Sequence, residues 1–186
     1  MTTAPSRSLG GELLLPAFLS GDDTETLVLP ADFDTEKAAW AFVDAALERW
    51  RQTALAPRVH TAAGELVANA LEHGMADAPA ESFEQPLALA VLREGPVVLC
   101  AVFDPGPALP DPLAGYGLRV VEAASDTWGW TTPGPSGKGV WASVTQNGTG
   151  GAPGPGTIRR LLQLAEILTG AERPRLVVVG EEPPAA

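Results

Sequence analysis

The sequence predicts an α+β fold, a two-layer α/β sandwich with a mixed, mostly antiparallel sheet and with helices on one face. Two pairs of apolar strand segments, each pair joined by a short turn, predict two hairpins. Amphipathic helical segments lie between the strand segments, which is typical of a sheet covered by helices. The chain has 186 residues, of which 45% are hydrophobic, enough for one core and too many for wholesale disorder.

Composition divides the chain into four zones. Residues 1–25 form a polar N-terminal arm with one apolar patch over 13–19. Residues 26–146 show dense apolar periodicity and contain the predicted core. Residues 147–156 form a Gly/Pro linker with nothing to bury, and residues 157–186 form a C-terminal helix and tail.

The first helices of the periodic zone follow a short strand over 26–29. Asp34 or Thr35 is a favoured N-cap for a helix that continues to about Arg51. Its apolar residues are spaced 3, 4 and 3: Trp40, Val43, Leu47 and Trp50. A second helix begins near Pro57, a favoured first-turn residue, and ends at Gly74, a favoured stop.

The remaining elements alternate between strands and helices. Strands over 87–93 and 97–103 form the first hairpin, and the four-proline loop 104–115 leads to a helix over 117–125. The second hairpin pairs 127–132 with 140–146, and its tryptophans suit core packing or, alternatively, stacking on a substrate. A helix over 157–169 and a short strand over 175–179 follow the linker.

Charge and cysteine content exclude several classes of function. The net charge is −11, and residues 1–90 alone hold 14 acidic against 5 basic residues. We therefore expect no direct binding of nucleic acid or of an anionic membrane, since both need clustered cations. Cys100, His60 and His73 are too few for a disulfide or a structural zinc site. Without an apolar span or a signal peptide, we expect a cytoplasmic protein.

The second helix has a polar stripe formed by Glu65, Asn69, Glu72 and His73 at spacings of 4, 3 and 1. A solvated face is one interpretation of this stripe. The helix is otherwise rich in alanine, however, and Asn is a poor former of helix interiors. A Glu and an Asn one turn apart also suit a functional pair, in which Glu is a base and Asn a neutral oxygen ligand for Mg²⁺.

Two glycine motifs follow in the sequence. Asp104 and Gly106 end an apolar strand, a pattern that by itself is most often a plain turn. Gly115 and Gly117 precede a helix, where they suit a turn and cap or the exposure of backbone N–H groups to a phosphate.

The order of these motifs resembles the N, G1 and G2 boxes of the GHKL (Bergerat-fold) ATP-binding superfamily. The stretches 115–129 and 137–142 resemble the branch of anti-sigma-factor serine/threonine kinases. The resemblance spans about 26–146 and includes neither the N-terminal arm nor the C-terminal tail.

The resemblance implies a role for each matching residue. Asp104 would accept a hydrogen bond from the adenine amino group, and Gly106 would leave room for the base. Asn69 would hold the Mg²⁺ that bridges the phosphates, and Glu65 would be the catalytic base. The remaining nucleotide-binding residues would be Gly115 and Gly117, with backbone N–H groups beside the phosphates, together with Leu118 of the same motif and His73, which lies beside the nucleotide or merely caps the helix.

The sequence departs from the family pattern at two places. Ala108 occupies the position of a second G1 glycine. The lid over 107–114 has only eight residues, three of them proline, and contains no cation. Arg119 and Lys138 are the nearest cations in sequence, and we expect helix-surface and turn roles for them.

Three functions follow as hypotheses. The first is an ATP- and Mg²⁺-dependent kinase that phosphorylates a Ser/Thr of an anti-sigma-factor antagonist and binds that antagonist or a sigma factor. The second is a catalytically weak or inactive scaffold that binds nucleotide, a protein partner or both. The third is the ATPase half of a sensor kinase. The apolar patch 13–19 and the helix after the linker leave a homodimer open.

Overall fold

The computed structural model describes residues 21–29, 34–75, 87–112, 116–146, 148 and 152–179. Within these residues, the strands are β1 Thr24–Leu29, β2 Leu87–Glu94, β3 Val97–Asp104, β4 Thr127–Thr131, β5 Lys138–Val144 and β6 Leu176–Val178. They form one sheet in the order β1-β2-β3-β5-β4-β6. All pairings of these strands are antiparallel, so the predicted antiparallel character is confirmed and the mixed sheet has no parallel pair among them. Both predicted hairpins are confirmed, because β2 pairs with β3 and β4 pairs with β5.

Four α-helices accompany the sheet in the described residues. They are α1 Thr35–Arg49, α2 Ala56–Asn69, α3 Gly117–Ala124 and α4 Pro155–Thr169. Proline lies in the first turn of α2 and of α4, where its missing N–H costs no hydrogen bond. Gly170 ends α4 in the left-handed conformation, with φ of 65°.

The first layer of the sandwich consists of α1, α2 and α3, which cover one face of the sheet. Because side chains alternate along a strand, every second residue of β2, β3 and β5 faces these helices. The residues of these three strands in this core are Leu87, Leu89, Val91, Val98, Cys100, Val102, Val140, Ala142 and Val144. The two-layer α/β sandwich predicted from the sequence is confirmed.

Helix α4 lies on the opposite face of the sheet. Its Leu161, Leu164 and Ala165 pack against Ala88, Ala90, Leu92, Leu99, Ala101, Phe103 and Trp141. The expectation of helices on one face therefore holds for α1 to α3 and fails for α4. The reason is that the strands β2, β3 and β5 are apolar on both sides, so the second side also needs a cover.

The segment beyond the linker belongs to the same sheet. Strand β6 pairs with β4 and extends the sheet by one strand. At the other end, β1 begins at Thr24, inside the predicted arm over 1–25. The apolar patch 13–19 lies outside the described residues. No helix in the described part of the chain combines the length and the apolar character that crossing a bilayer requires.

Candidate nucleotide site

A cleft of about 620 Å³ opens between α2, the start of α3 and the ends of β3 and β5. Helix α2 supplies Glu65 and Asn69, and α3 supplies Gly117 and Leu118. The sheet supplies its floor with Val102, Asp104, Lys138 and Val140. The segment after β3 forms one wall, with Ala108, Leu109, Pro110 and Asp111.

The polar pair of α2 faces the start of α3. Leu66 and Val67 are buried in the core, and this fixes the rotation of α2 and directs Glu65 and Asn69 toward the cleft. A Cβ on Gly117 would lie 2.9 Å from Oε2 of Glu65 and 3.1 Å from both amide atoms of Asn69. The structure thus brings these three residues together, and Gly117 leaves just enough room for the two side chains.

The amide nitrogen of Asn69 has no partner among the described residues. Nδ2 is buried and makes no hydrogen bond to any of them. A buried N–H group without a partner is costly, and most such groups in folded proteins are hydrogen-bonded. The amide suits either a phosphate oxygen, which would accept from its N–H group, or, when turned over, a cation that binds its oxygen.

A π-helical turn, Ala70–Met75, extends α2 and carries its chain to the end of β3. There Gly74 contacts Asp104 so closely that a Cβ on Gly74 would overlap the carboxyl group, 2.7 Å from Cβ of Asp104. A Cβ on Gly106 would in turn lie 2.6 Å from Cα of Gly74. Gly106 also donates its backbone N–H to Oδ1 of Asp104 at 2.9 Å. The two glycines therefore clamp the carboxyl group in one position.

Asp104 forms a buried ion pair with Lys138. Nζ of Lys138 donates to Oδ1 of Asp104 at 2.8 Å and to the carbonyl oxygen of Gly106 at 3.1 Å. Burial raises the pKa of Asp104, although the charge of Lys138 and the hydrogen bonds from Lys138 and Gly106 act in the opposite direction. The expected turn role of Lys138 is wrong, because Lys138 is the first residue of β5 and is buried.

The other predicted site residues take different positions. His73 lines the cleft and is exposed. Leu118 also lines the cleft, but it is buried and packs in the core between α3 and the sheet. Gly115 lies outside the described residues. At the rim of the cleft, Leu109 is 49% exposed and Tyr116 is 81% exposed.

The cleft is acidic. Its carboxylates are Glu65, Glu72, Asp104 and Asp111, and its one cationic residue in the described lining is Lys138, which already pairs with Asp104. An anionic ligand would need a metal ion and backbone N–H groups to offset this charge. The first-turn N–H groups of α3 lie at the cleft, and such groups have no partner within a helix.

These residues would hold Mg²⁺ only together with a bound ligand that supplies further oxygen atoms. In the described ranges, no three His, Cys, Asp or Glu side chains converge to hold a metal ion. Asn69 offers one amide oxygen, and Mg²⁺ commonly takes one or two protein ligands and completes its shell with phosphates and water. The unpaired Asn69 amide therefore suits a metal that arrives with a nucleotide.

The roles of Gly74 and Lys138 have no signal in the sequence. The sequence pattern predicts a helix stop at Gly74, whereas the contact of Gly74 with Asp104 depends on the π-helical turn. Lys138 is opposite Asp104 in the β3–β5 register. A hairpin pattern does not disclose this pairing, because β3 and β5 are not consecutive strands.

A scan against protein-family models found no match to this chain, and a search of the curated proteins found no significant one.

Proposed function

We propose that the protein binds ATP with Mg²⁺ in this cleft and transfers the γ-phosphate to a Ser or Thr of a partner protein. The observation that supports it best is the cluster of Glu65, Asn69 and Gly117, which brings together a carboxylate base, a buried amide nitrogen without a partner among the described residues and a helix N-terminus. The family resemblance supplies the kinase class and the partner, an anti-sigma-factor antagonist or a sigma factor in a transcription-regulating switch. A cytoplasmic location is part of the same proposal.

The adenine ring and the phosphates of ATP would occupy opposite ends of the cleft. Asp104, held by Gly74 and Gly106, presents a carboxylate acceptor to the exocyclic amino group of adenine. The first-turn N–H groups at Gly117 and Leu118 bind phosphate oxygens without any side-chain charge. The acidic lining then favours ATP only as its magnesium complex.

The transfer step uses the α2 pair. Asn69 would hold Mg²⁺, which would supply positive charge to offset the negative charge of the phosphates. Glu65 accepts the proton of the attacking hydroxyl, whose oxygen forms a bond to the γ-phosphorus while the bond to the ADP oxygen breaks. Asn69 orients the polyphosphate beside Glu65, and positioning of this kind supplies much of the rate enhancement in phosphoryl transfer.

A phosphotransfer assay tests the proposal. Purified protein is incubated with labelled Mg-ATP and a panel of anti-sigma-factor antagonists from the source organism. We expect label on one antagonist, a loss of at least about 100-fold with Glu65→Gln, and retained ADP binding in that variant. Glu48→Gln is the matched control, since Glu48 is an exposed carboxylate of α1 that does not line the cleft, and we expect it to leave labelling unchanged. Labelling that is unchanged in Glu65→Gln would refute the catalytic role.

A second candidate function is a scaffold that binds nucleotide without transfer. The ion pair between Lys138 and Asp104 favours it, because the lysine already occupies one carboxylate oxygen that a base could use. Calorimetry separates the two candidates. Micromolar ADP binding with no antagonist labelling supports the scaffold, and labelling that depends on Glu65 supports the kinase.

A further inference from the structure

Lys138 changes the set of bases that the cleft can hold. We propose that the site takes 6-oxopurine nucleotides, those of guanine and hypoxanthine, with affinities within tenfold of those for adenine nucleotides, and that Lys138 is the residue that permits this. This inference rests on the proposed nucleotide function and names its substrate class more closely.

The lysine is fixed in place and still has one donor to offer. Its side chain is 7% exposed and that of Asp104 is 3% exposed, and both residues line the cleft. An ammonium group has three N–H donors. Two of them bind Oδ1 of Asp104 and the carbonyl oxygen of Gly106, which leaves one for a ligand.

The aspartate keeps one acceptor. Oδ1 receives hydrogen bonds from both Lys138 and the backbone of Gly106. In the described part of the chain, Oδ2 receives none. The ion pair therefore presents a charged donor and a charged acceptor side by side at the floor of the cleft.

The Watson–Crick edge of a 6-oxopurine matches this pair. Its O6 accepts a hydrogen bond and its adjacent N1–H donates one, so O6 would face Lys138 and N1–H would face Asp104. Lysine contacts with O6 and N7 of guanine are among the commonest specific base contacts, because these atoms hold the strongest negative potential of a purine. Adenine offers an amino group to Asp104 and leaves Lys138 only a ring nitrogen.

Without the lysine, O6 would find no side-chain donor on the described sheet floor. Next to Asp104 and Lys138, the described sheet floor consists of the apolar side chains of Val102 and Val140. A carbonyl placed there would lose its hydrogen bonds to water without replacement, which disfavours binding. The charge pair thus converts a floor that suits only amino groups into one that also accepts a carbonyl group.

Titration calorimetry with the magnesium complexes of ADP and IDP tests the proposal. Inosine has O6 and N1–H but no 2-amino group, so it isolates the edge that Lys138 would bind. We expect IDP to bind with a Kd no more than tenfold above that of ADP. In Lys138→Met the ratio of the IDP Kd to the ADP Kd rises at least tenfold, and in Lys138→Arg it stays within threefold of wild type.

The double variant Asp104→Asn/Lys138→Met is the control for misfolding of the single variant Lys138→Met. Removing Lys138 alone leaves a buried carboxylate unpaired, which can unfold the protein. The double variant removes both charges, and we expect it to lose IDP binding to below a tenth of the wild-type affinity.

The outcomes separate this inference from the proposed function. Binding of ADP with IDP more than tenfold weaker overturns the base specificity and leaves ATP binding intact. An IDP-to-ADP ratio that is the same in wild type and Lys138→Met overturns the role of Lys138. Absence of binding by both nucleotides overturns the proposed function and this inference with it.

Discussion

At the scale of single residues, the cleft depends on close contacts that tolerate no added atom. Gly74, Asp104 and Gly106 touch one another through their backbones and one carboxyl group. Lys138 adds a buried positive charge, and Asp104 is its ion-pair partner in the described part of the chain. Such a pair stabilises little by itself, and the loss of one partner is costly because the other charge remains buried.

Gly74→Ala tests the contact with Asp104. Its Cβ would overlap the carboxyl group, so the π-helical turn or β3 must shift. We expect a loss of about 1–3 kcal/mol in the free energy of unfolding, measured with urea, together with weaker ADP binding.

Gly64→Ala in α2 is the matched control. Its Cβ would find only Nε1 of Trp40, at an ordinary 3.7 Å. We expect a stability gain of up to about 1 kcal/mol, since Ala exceeds Gly in helix propensity. Equal effects of the two substitutions would contradict the close contact at Gly74.

At the scale of elements, one arginine joins two helices to the sheet. Arg58 of α2 donates to the carbonyl oxygen of Ala124 at 3.0 Å, to that of Thr145 at 2.7 Å and to Oδ1 of Asp126 at 2.6 Å. Oδ2 of Asp126 accepts hydrogen bonds from the backbone and hydroxyl group of Thr145, both at 2.6 Å. These bonds fix α3 against α2 and hence Gly117 against Glu65.

Asp126→Asn tests this junction and its pH dependence. Burial tends to raise the pKa of Asp126, but the hydrogen bonds from Thr145 and Arg58 outweigh it and lower the pKa below its usual 3.8. A carboxyl group with a lowered pKa stabilises the folded state at pH values above the pKa that it has in the unfolded chain. This contribution disappears as the pH falls through the pKa of the folded state. We expect a loss of about 2–4 kcal/mol at pH 7 that shrinks below about pH 4.

The control for that variant is Asp44→Asn. Asp44 pairs with His60 at 2.7 Å, but its side chain is 54% exposed. We expect a change within about 1 kcal/mol. Urea unfolding at pH 7 and at about pH 3 measures both variants, and an Asp126→Asn loss that is the same at both values contradicts the assignment.

Helix α4 provides a second test at this scale. Leu161 is fully buried against the sheet, whereas Ile167 on the same helix is 45% exposed. We expect Leu161→Ala to cost about 2–4 kcal/mol of unfolding free energy and Ile167→Ala less than about 1 kcal/mol. If both cost the same, α4 does not cover the sheet as described.

At the scale of the whole molecule, the net charge of −11 sets the conditions for ligand binding. The acidic cleft repels a free triphosphate, so nucleotide binding should require a divalent cation. A bound calcium or magnesium ion would neutralise part of the charge of the triphosphate. Monovalent salt would only weaken the repulsion by screening.

Thermal unfolding measures this requirement. At a Mg-ADP concentration of about 100 times Kd, the folded state gains about 2.7 kcal/mol, which corresponds to an increase in Tm of roughly 5–10 °C for a domain of this size. We expect less than a quarter of this increase when EDTA replaces Mg²⁺. An increase of the same size in EDTA would show that the metal plays no part.

The sequence by itself determined the local structure, because that information is contained in apolar periodicity and in proline and glycine positions. The strands at 87–94 and 97–104 and the stripe of Glu65 and Asn69 follow from patterns of two and 3.6 residues. Only the tertiary structure decided that α4 covers the second face and that Lys138 lies beside Asp104. Both depend on which strands become neighbours, and pairing between distant segments is set by packing of the whole core, which no local pattern records.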